Sequence, residues 1–403
     1  MRHYVCFSCG EQILSNNQSK EHIIPNSIGG KKKIQNFICR KCNEKFGQTW
    51  DAILAKQFNP LALYLGIKRE RGESPAEIFS TTKGEQYKMT SGSNLEIPCP
   101  VIKEQKIDDN KVQLEISARS HEEAKKIIAD LERKKYPGLS RSVDIDSLEY
   151  SEMYIEDPLH IPLAVGGKQV GKSIVKSCLA LAYDAGLSGL DYSNVKKYFS
   201  DEIQPGDIWT YCYQDYVRNR DEFNVIHCVH IKASSKNKNI IGYIEYFSVF
   251  KFIVLLSNNY VGNDISATYG IDPLNGCKVD IDVCIDLSNH DVIKLFNAPY
   301  DFEEVKHSLG KVIAFRQKRS IKREQKRVLN EAVRYAFTKT GLSEGEMIGP
   351  EHISILVNAI MEKLKPFLIH NSCRNLEIEH IRRKQQLGEM KKQAKSHDNE
   401  DIT

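Results

Sequence analysis

The apolar positions change their period from one stretch of the chain to the next, and these changes predict its elements. Over residues 43–58, Phe46, Trp50, Leu54 and Phe58 recur every four residues, which predicts a helix with one apolar face. At about 100° per residue, Asn43 and Gly47 fall on that same face. Residues 59–150 alternate short strand-like runs with turn signals such as Thr82-Lys83-Gly84 and Ser91-Gly92-Ser93. They end in a helix predicted over 121–135, stopped by Pro137-Gly138. A strand-like run at 159–165 precedes a helix over 171–185, with Val170, Ile174, Val175, Cys178, Leu181 and Ala182 on one face. Strong strands are predicted at 223–231 and 240–256, joined by the polar turn 234–239. From about residue 302 the pattern is helical, and the last dozen or so residues are polar. The fold class is α+β, in four regions: a Cys-rich unit at 1–58, an α+β connecting region at 59–150, an α+β domain with antiparallel strands at 151–300, and a helical basic region at 301–403.

Composition narrows the class. Of 403 residues, 41% are hydrophobic and 27% charged, which excludes a wholly disordered or fibrous chain. The best apolar run, 246–256, is broken by Lys251 and falls short of the roughly 20 residues a membrane span needs. The first residues contain no apolar signal region, so a cytoplasmic protein is expected. Eleven cysteines is an odd count, and four of them form two Cys-x-x-Cys pairs, which reads as metal or redox chemistry rather than a disulfide framework. The net charge of +4 is uneven: residues 1–52 carry +4, residues 301–403 carry +5 and the middle carries −5. Basic ends around an acidic middle suit polyanion contact at the ends, or simply a solvated surface.

The chemistry concentrates near the N-terminus. Cys6, Cys9, Cys39 and Cys42 offer four thiolates, which suits a closed tetrahedral zinc site. A unit of this size is close to the lower limit for folding alone, and a metal would supply part of its stability. The partner of the 43–58 helix is expected to be a hairpin, with His22 on one strand and Asn36-Phe37-Ile38 on the other. Its turn holds Gly29-Gly30 and the lysines Lys31, Lys32 and Lys33. Zinc at the hairpin base would bring Glu21, His22 and Asn43 together.

Taken in order, Cys6/Cys9, Glu21-His22-Ile23-Ile24-Pro25, Gly29-Gly30, Asn36, Cys39/Cys42 and Asn43-x-x-Phe46-Gly47 resemble the HNH endonuclease family, over about the first 55 residues. The resemblance implies a zinc-braced ββα unit that grips one catalytic divalent cation, Mg²⁺ or Mn²⁺. It implies that His22 is the general base that activates water, a task a neutral imidazole near pH 7 suits. It implies that Glu21 and Asn43 hold the cation through oxygen and that Asn36 braces the loop. Glu21 stands where Asp is also common in the family, and Asn43 where the last His of the name often stands. The expected partner is nucleic acid, double-stranded DNA first, with a homo-oligomer or an activating partner and no membrane. A restriction or anti-phage role is the expected setting.

Other signals compete with this reading. Gly166-Gly167-Lys168-Gln169-Val170-Gly171-Lys172-Ser173 fits the Walker A pattern and raises an ATP-coupled alternative. Pro162 in the preceding run and the antiparallel strands that follow argue against it. Residues 311–327 hold eight basic residues and one acidic, and Arg316, Arg319, Arg323 and Arg327 recur at helical spacing. That stripe suits phosphate-backbone contact or a solvated helix face, and Lys31–Lys33 carry the same two readings. His227 and His230 point to opposite faces of a strand and are expected to be buried or edge histidines. A third reading keeps the zinc unit as a nucleic-acid-binding module without hydrolysis.

Overall fold

A computed structural model describes residues 4–397 apart from 109–110, 145–152, 222–223 and 344, and beyond Cys373 describes the backbone alone. Phe223, the first residue of the strand predicted over 223–231, and residues 398–403 of the polar end lie outside the described residues. The chain is mixed α+β, as expected, and divides into two compact units. One is Met1–Tyr150 with Asp157–Ala314; the other is Ser151–Glu156 with Phe315–Thr403.

The first unit opens with an antiparallel hairpin of β1 (Gln18–His22) and β2 (Lys33–Cys39), which sets Glu21 opposite Ile34 and His22 opposite Lys33. Its turn depends on glycine. Gly29 has φ +100°, and a Cβ on Gly30 would lie 1.8 Å from the Ile24 carbonyl oxygen. Strand β2 runs directly into α1 (Arg40–Gln48), and α2 (Trp50–Leu65) follows. The one helix predicted over 43–58 is therefore two, parted at Thr49, whose hydroxyl donates to the Lys45 carbonyl at 2.7 Å. Phe46, Trp50, Leu54 and Phe58 are all buried, as their spacing required.

Next come β3 (Glu77–Thr81), β4 (Gln86–Thr90) and β5 (Asn94–Glu96), the hairpin β6 (Val101–Lys106) and β7 (Val112–Ser117), and α3 (His121–Lys134). A two-residue strand, β8 (Leu159–His160), completes a sheet of order β5-β4-β3-β8, and is much shorter than the run predicted over 159–165. Helix α4 (Lys168–Asp184) and α5 (Ser193–Phe199) lead into the main sheet.

That sheet is fully antiparallel, in the order β14-β13-β10-β11-β12-β9. Its strands are β9 (Trp209–Tyr211), β10 (His227–Ser234), β11 (Asn239–Tyr246), β12 (Phe250–Ser257), β13 (Ile265–Asp272) and β14 (Cys277–Val279). The single strand predicted over 240–256 is β11 and β12 folded back on each other. Phe247 and Ser248 both take φ +58° at the fold, a conformation glycine or asparagine usually signals. One face of the sheet packs on Val292 of α6 (Asn289–Phe296), with Tyr243, Ile253 and Cys228. The other face packs on α4: a Cβ on Gly242 would meet Cys178 Sγ at 2.6 Å. The hairpin and α2 lie on this same side. His227 Nε2 donates to the Ile28 carbonyl at 2.8 Å, and Phe58 packs edge-on or tilted among Tyr246, Phe247 and Phe250 at 5.3–5.5 Å.

Helix α7 (Phe302–Thr340) carries the chain across the division after Ala314. Within the second unit its later turns pack beside α8 (Pro350–His397): Tyr335 Oη donates to Glu362 at 3.1 Å, and Tyr154 stacks on His370 at 4.5 Å. Among the described residues no helix is long and apolar enough to cross a membrane.

Candidate active site and zinc centre

The two Cys-x-x-Cys pairs meet. Cys6 and Cys9 come from the N-terminal knuckle, Cys39 from the end of β2 and Cys42 from the first turn of α1. Their sulfurs lie within 4.8 Å of one another, with Cys9 and Cys39 at 3.8 Å. All four are free thiols, and three are buried. Burial pushes the Cys6 and Cys42 thiols up, so four thiolates this close need a divalent cation among them. Four soft donors around one point suit zinc, and they would tie the strand end to the helix start.

Successive residues on β1 face opposite ways, and this separates Glu21 from His22. Glu21 faces inward, is 4% exposed, and accepts at Oε1 from the Lys176 ammonium of α4. Asp51 of α2 takes the same ammonium at 2.5 Å and a hydroxyl proton from Ser173, also at 2.5 Å. Burial would neutralise Lys176, but the Asp51 and Glu21 carboxylates outweigh it and raise its pKa. Burial pushes the Glu21 carboxyl up, against the pull of Lys176. The result is a triad of charges, with Glu21 and Lys176 buried and Asp51 half-buried, joining β1, α2 and α4.

His22 faces outward into a cleft of about 360 Å³, lined by Lys20, His22, Asn26, Ser27, Lys33, Arg69 and Arg71. Its Nε2 lies 3.2 Å from Glu70 Oε2, which also accepts from Lys33 Nζ at 2.6 Å. The Lys33 bond is the main cause that holds the Glu70 carboxyl down to about 2, so Glu70 is an acceptor only and Nε2 carries the proton. Burial is the main cause that lowers the His22 pKa, while the Glu70 bond raises it, and the ring is neutral near pH 7.

Asn43, on α1, donates from Nδ2 to the Lys20 carbonyl at 3.4 Å. Asn36 takes φ +62° at the irregularity in the hairpin, and its Oδ1 accepts from Gln18 at 3.2 Å. Of the three lysines, Lys33 enters the cleft. Lys32 pairs with Asp184 at 2.5 Å, and the Lys31 and Lys32 amides face the Tyr269 hydroxyl at 3.4 and 3.0 Å. In the second unit Arg316 is buried, Arg327 pairs with Glu324 and Glu331, and Arg319 and Arg323 are exposed.

The Walker-like run is committed to internal packing. Lys172 donates to Asp201 and to the Phe199 carbonyl, and lies 5.4 Å from the Trp50 ring centre. Gly166 exchanges two hydrogen bonds with the Gln57 side chain, at 2.8 and 3.0 Å. A Cβ on Gly171 would lie 2.1 Å from Trp209 Nε1, so this glycine serves close packing. Sequence reading overlooked Glu70, Arg69, Arg71 and Lys176. For Lys176 a signal existed, since Lys172 and Lys176 stand four apart on an otherwise apolar helix. For residues 69–72 the run Arg-Glu-Arg-Gly carries no spacing or period that marks a site.

Comparison with known proteins agrees with the residues described above: residues 6–59 match the HNH endonuclease family. No curated protein and no solved structure matches the chain.

Proposed function

We propose that the HNH endonuclease unit at residues 6–59 makes this chain a metal-dependent nuclease that hydrolyses phosphodiester bonds, duplex DNA being the first substrate to test. One observation carries the reading. The histidine of the family pattern, His22, stands in an open basic cleft with one ring nitrogen held by an acceptor-only carboxylate. With Nε2–H donated to Glu70, the lone pair of His22 lies on Nδ1, and that is the atom that takes the proton from water. Glu70 then faces the imidazolium that forms and stabilises it, as carboxylates beside catalytic histidines do.

The oxygens of Glu21 and Asn43 are of the kind a hard cation takes. Lys176 occupies Glu21 Oε1 on the face of β1 away from His22, so the expected Glu21–Asn43 pair forms no cation site beside His22 as these side chains stand, and Mg²⁺ or Mn²⁺ there would require Glu21 to release Lys176. Such an ion supplies charge stabilisation at the phosphate and the leaving 3′ oxygen. Zinc at the four cysteines has the separate task of tying β2 to α1. The large remainder of the chain fits an effector whose cutting is confined to a trigger or a restricted target, as in restriction or anti-phage defence.

A second reading, a zinc-braced nucleic-acid-binding module without hydrolysis, is favoured by the hold of Lys176 on Glu21. Plasmid cleavage by wild type and His22→Ala, with and without Mg²⁺ or Mn²⁺ and beside zinc quantification, separates the two. Cation-dependent cutting that falls roughly 10²–10⁴-fold in the variant, at unchanged zinc content, is expected. Full activity in His22→Ala removes this histidine from the mechanism. Binding without cutting leaves the second reading.

A further inference from the structure

The nuclease pattern ends at residue 59, but the wall of the cleft facing His22 is built from the segment after α2, around residues 69–71. This segment is fixed to the hairpin. The Glu70 amide donates to Asn26 Oδ1 at 3.0 Å, while the Glu70 carboxylate takes His22, Lys33 and, at 3.5 Å, Asn26 Nδ2. With Glu70 so anchored, Arg69 and Arg71 flank it and both line the cleft with Lys20.

The charge in the cleft is unbalanced. Three cations of the first unit outside the cleft are matched: Lys32 by Asp184, Lys172 by Asp201, Lys176 by Glu21 and Asp51. In the cleft Lys33 alone has a carboxylate partner. Arg69 has only the Asn59 amide oxygen at 3.3 Å, and its buried Nε has no partner. Among the described residues, the Lys20 and Arg71 side chains have no hydrogen-bond or ion-pair partner. Four cations in one concavity with a single acid on its rim leave a surplus of positive charge that attracts a polyanion. Guanidinium forks match phosphate oxygens in a bidentate manner.

We infer that Lys20, Lys33, Arg69 and Arg71 form a phosphodiester-backbone subsite that seats the strand beside His22 without reading its sequence. The inference rests on the nuclease reading for its choice of polymer. Its contacts go to phosphates, so binding is salt-dependent and tolerant of base sequence.

The test uses the full chain with its zinc, in chelator-free buffer without Mg²⁺ or Mn²⁺ so that no cutting occurs, and fluorescence anisotropy with a labelled DNA duplex, a single strand and an RNA duplex. The cleft variant is Lys20→Ala/Arg71→Ala, at two exposed positions whose loss leaves the core intact. The control is Lys103→Ala/Lys111→Ala, the same charge change on the β6–β7 hairpin. The cleft variant is expected to weaken binding roughly tenfold or more near 0.1 M salt and to flatten the log–log salt slope by about 0.9 per lost contact. The control is expected to stay within about twofold of wild type. Equal losses in both variants, no loss in either, or no binding by wild type to any of the three probes overturns the subsite. The arm with the highest wild-type affinity identifies the polymer. Cutting of plasmid with Mn²⁺ is scored separately. A chain that never cuts but loses binding only in the cleft variant keeps the subsite and sinks the nuclease. A cleft variant that binds and cuts as wild type does the reverse.

Discussion

Two charge clusters lie back to back on strand β1, one residue apart. On the inner face Glu21, Lys176 and Asp51 are drawn from three elements, and the ammonium is 1% exposed. On the outer face the pattern is inverted: one carboxylate, Glu70, is shared between two nitrogen bases, His22 and Lys33, and each side chain is 23–32% exposed. Solvation separates their uses. A dry ion pair is held because breaking it strands a charge, so it fixes how β1, α2 and α4 meet. A wet cluster costs little to rearrange, so its groups are available to a substrate and a proton.

The largest effect expected from this contrast is on stability at the inner cluster. Lys176→Met leaves the buried Glu21 and the half-buried Asp51 carboxylates without their cation and should cost about 3–5 kcal/mol. Thermal or urea unfolding reads it, and Lys176→Arg should recover part of the loss. A neutral outcome would place the inner cluster among the wet ones. The outer cluster should behave in the opposite way. Glu70→Gln should leave the unfolding midpoint nearly unchanged and lower kcat roughly ten- to a hundredfold, with KM little affected. Steady-state cleavage kinetics beside a melting curve decide it; a fall in midpoint with kcat intact would make Glu70 a structural residue.

The smallest effect concerns acid. His227 uses both ring nitrogens as a neutral ring, donating to the Ile28 carbonyl and accepting the Phe247 amide at 2.9 Å. Burial depresses its pKa to about 4, against 6.5 when unfolded. A depressed pKa means the unfolded chain takes up the proton first. The stability this group contributes is therefore complete above about pH 6.5 and is lost as pH falls towards 4. His230, bonded through Nδ1 to Thr268 at 2.8 Å and likewise depressed to about 4 mainly by burial, adds to the same window. The slope should reach about 1.4 kcal/mol per pH unit for each proton, and His227→Gln should flatten it. An unchanged slope in that variant would assign the acid sensitivity to other groups.

Elements with a regular period were legible, and those without one were not. The buried faces of α1, α2 and α4 follow from the four-residue recurrence of large apolar side chains, and α3 runs very nearly where its stop signal put it. The turn between β11 and β12 was illegible because Phe247 and Ser248 take a left-handed conformation without glycine or asparagine, held by pairing on both sides. The Walker-like run misled for the opposite reason. Its spacing is right, but Gly166 and Gly171 are there so that Tyr211 and Trp209 can approach.

The sequence by itself determined the zinc ligand set, the hairpin-and-helix order around it and the position of His22. Each of these is local: short spacings and single-element periodicities set them. Only the tertiary structure decided what surrounds them. Glu21 and His22 are neighbours in the chain, yet the pleat sends one to Lys176, 155 residues on, and the other to Glu70, 48 residues on. No spacing rule connects such pairs, because they are set by which faces pack and which face water, and that is the property that turned two similar clusters into a brace and a site.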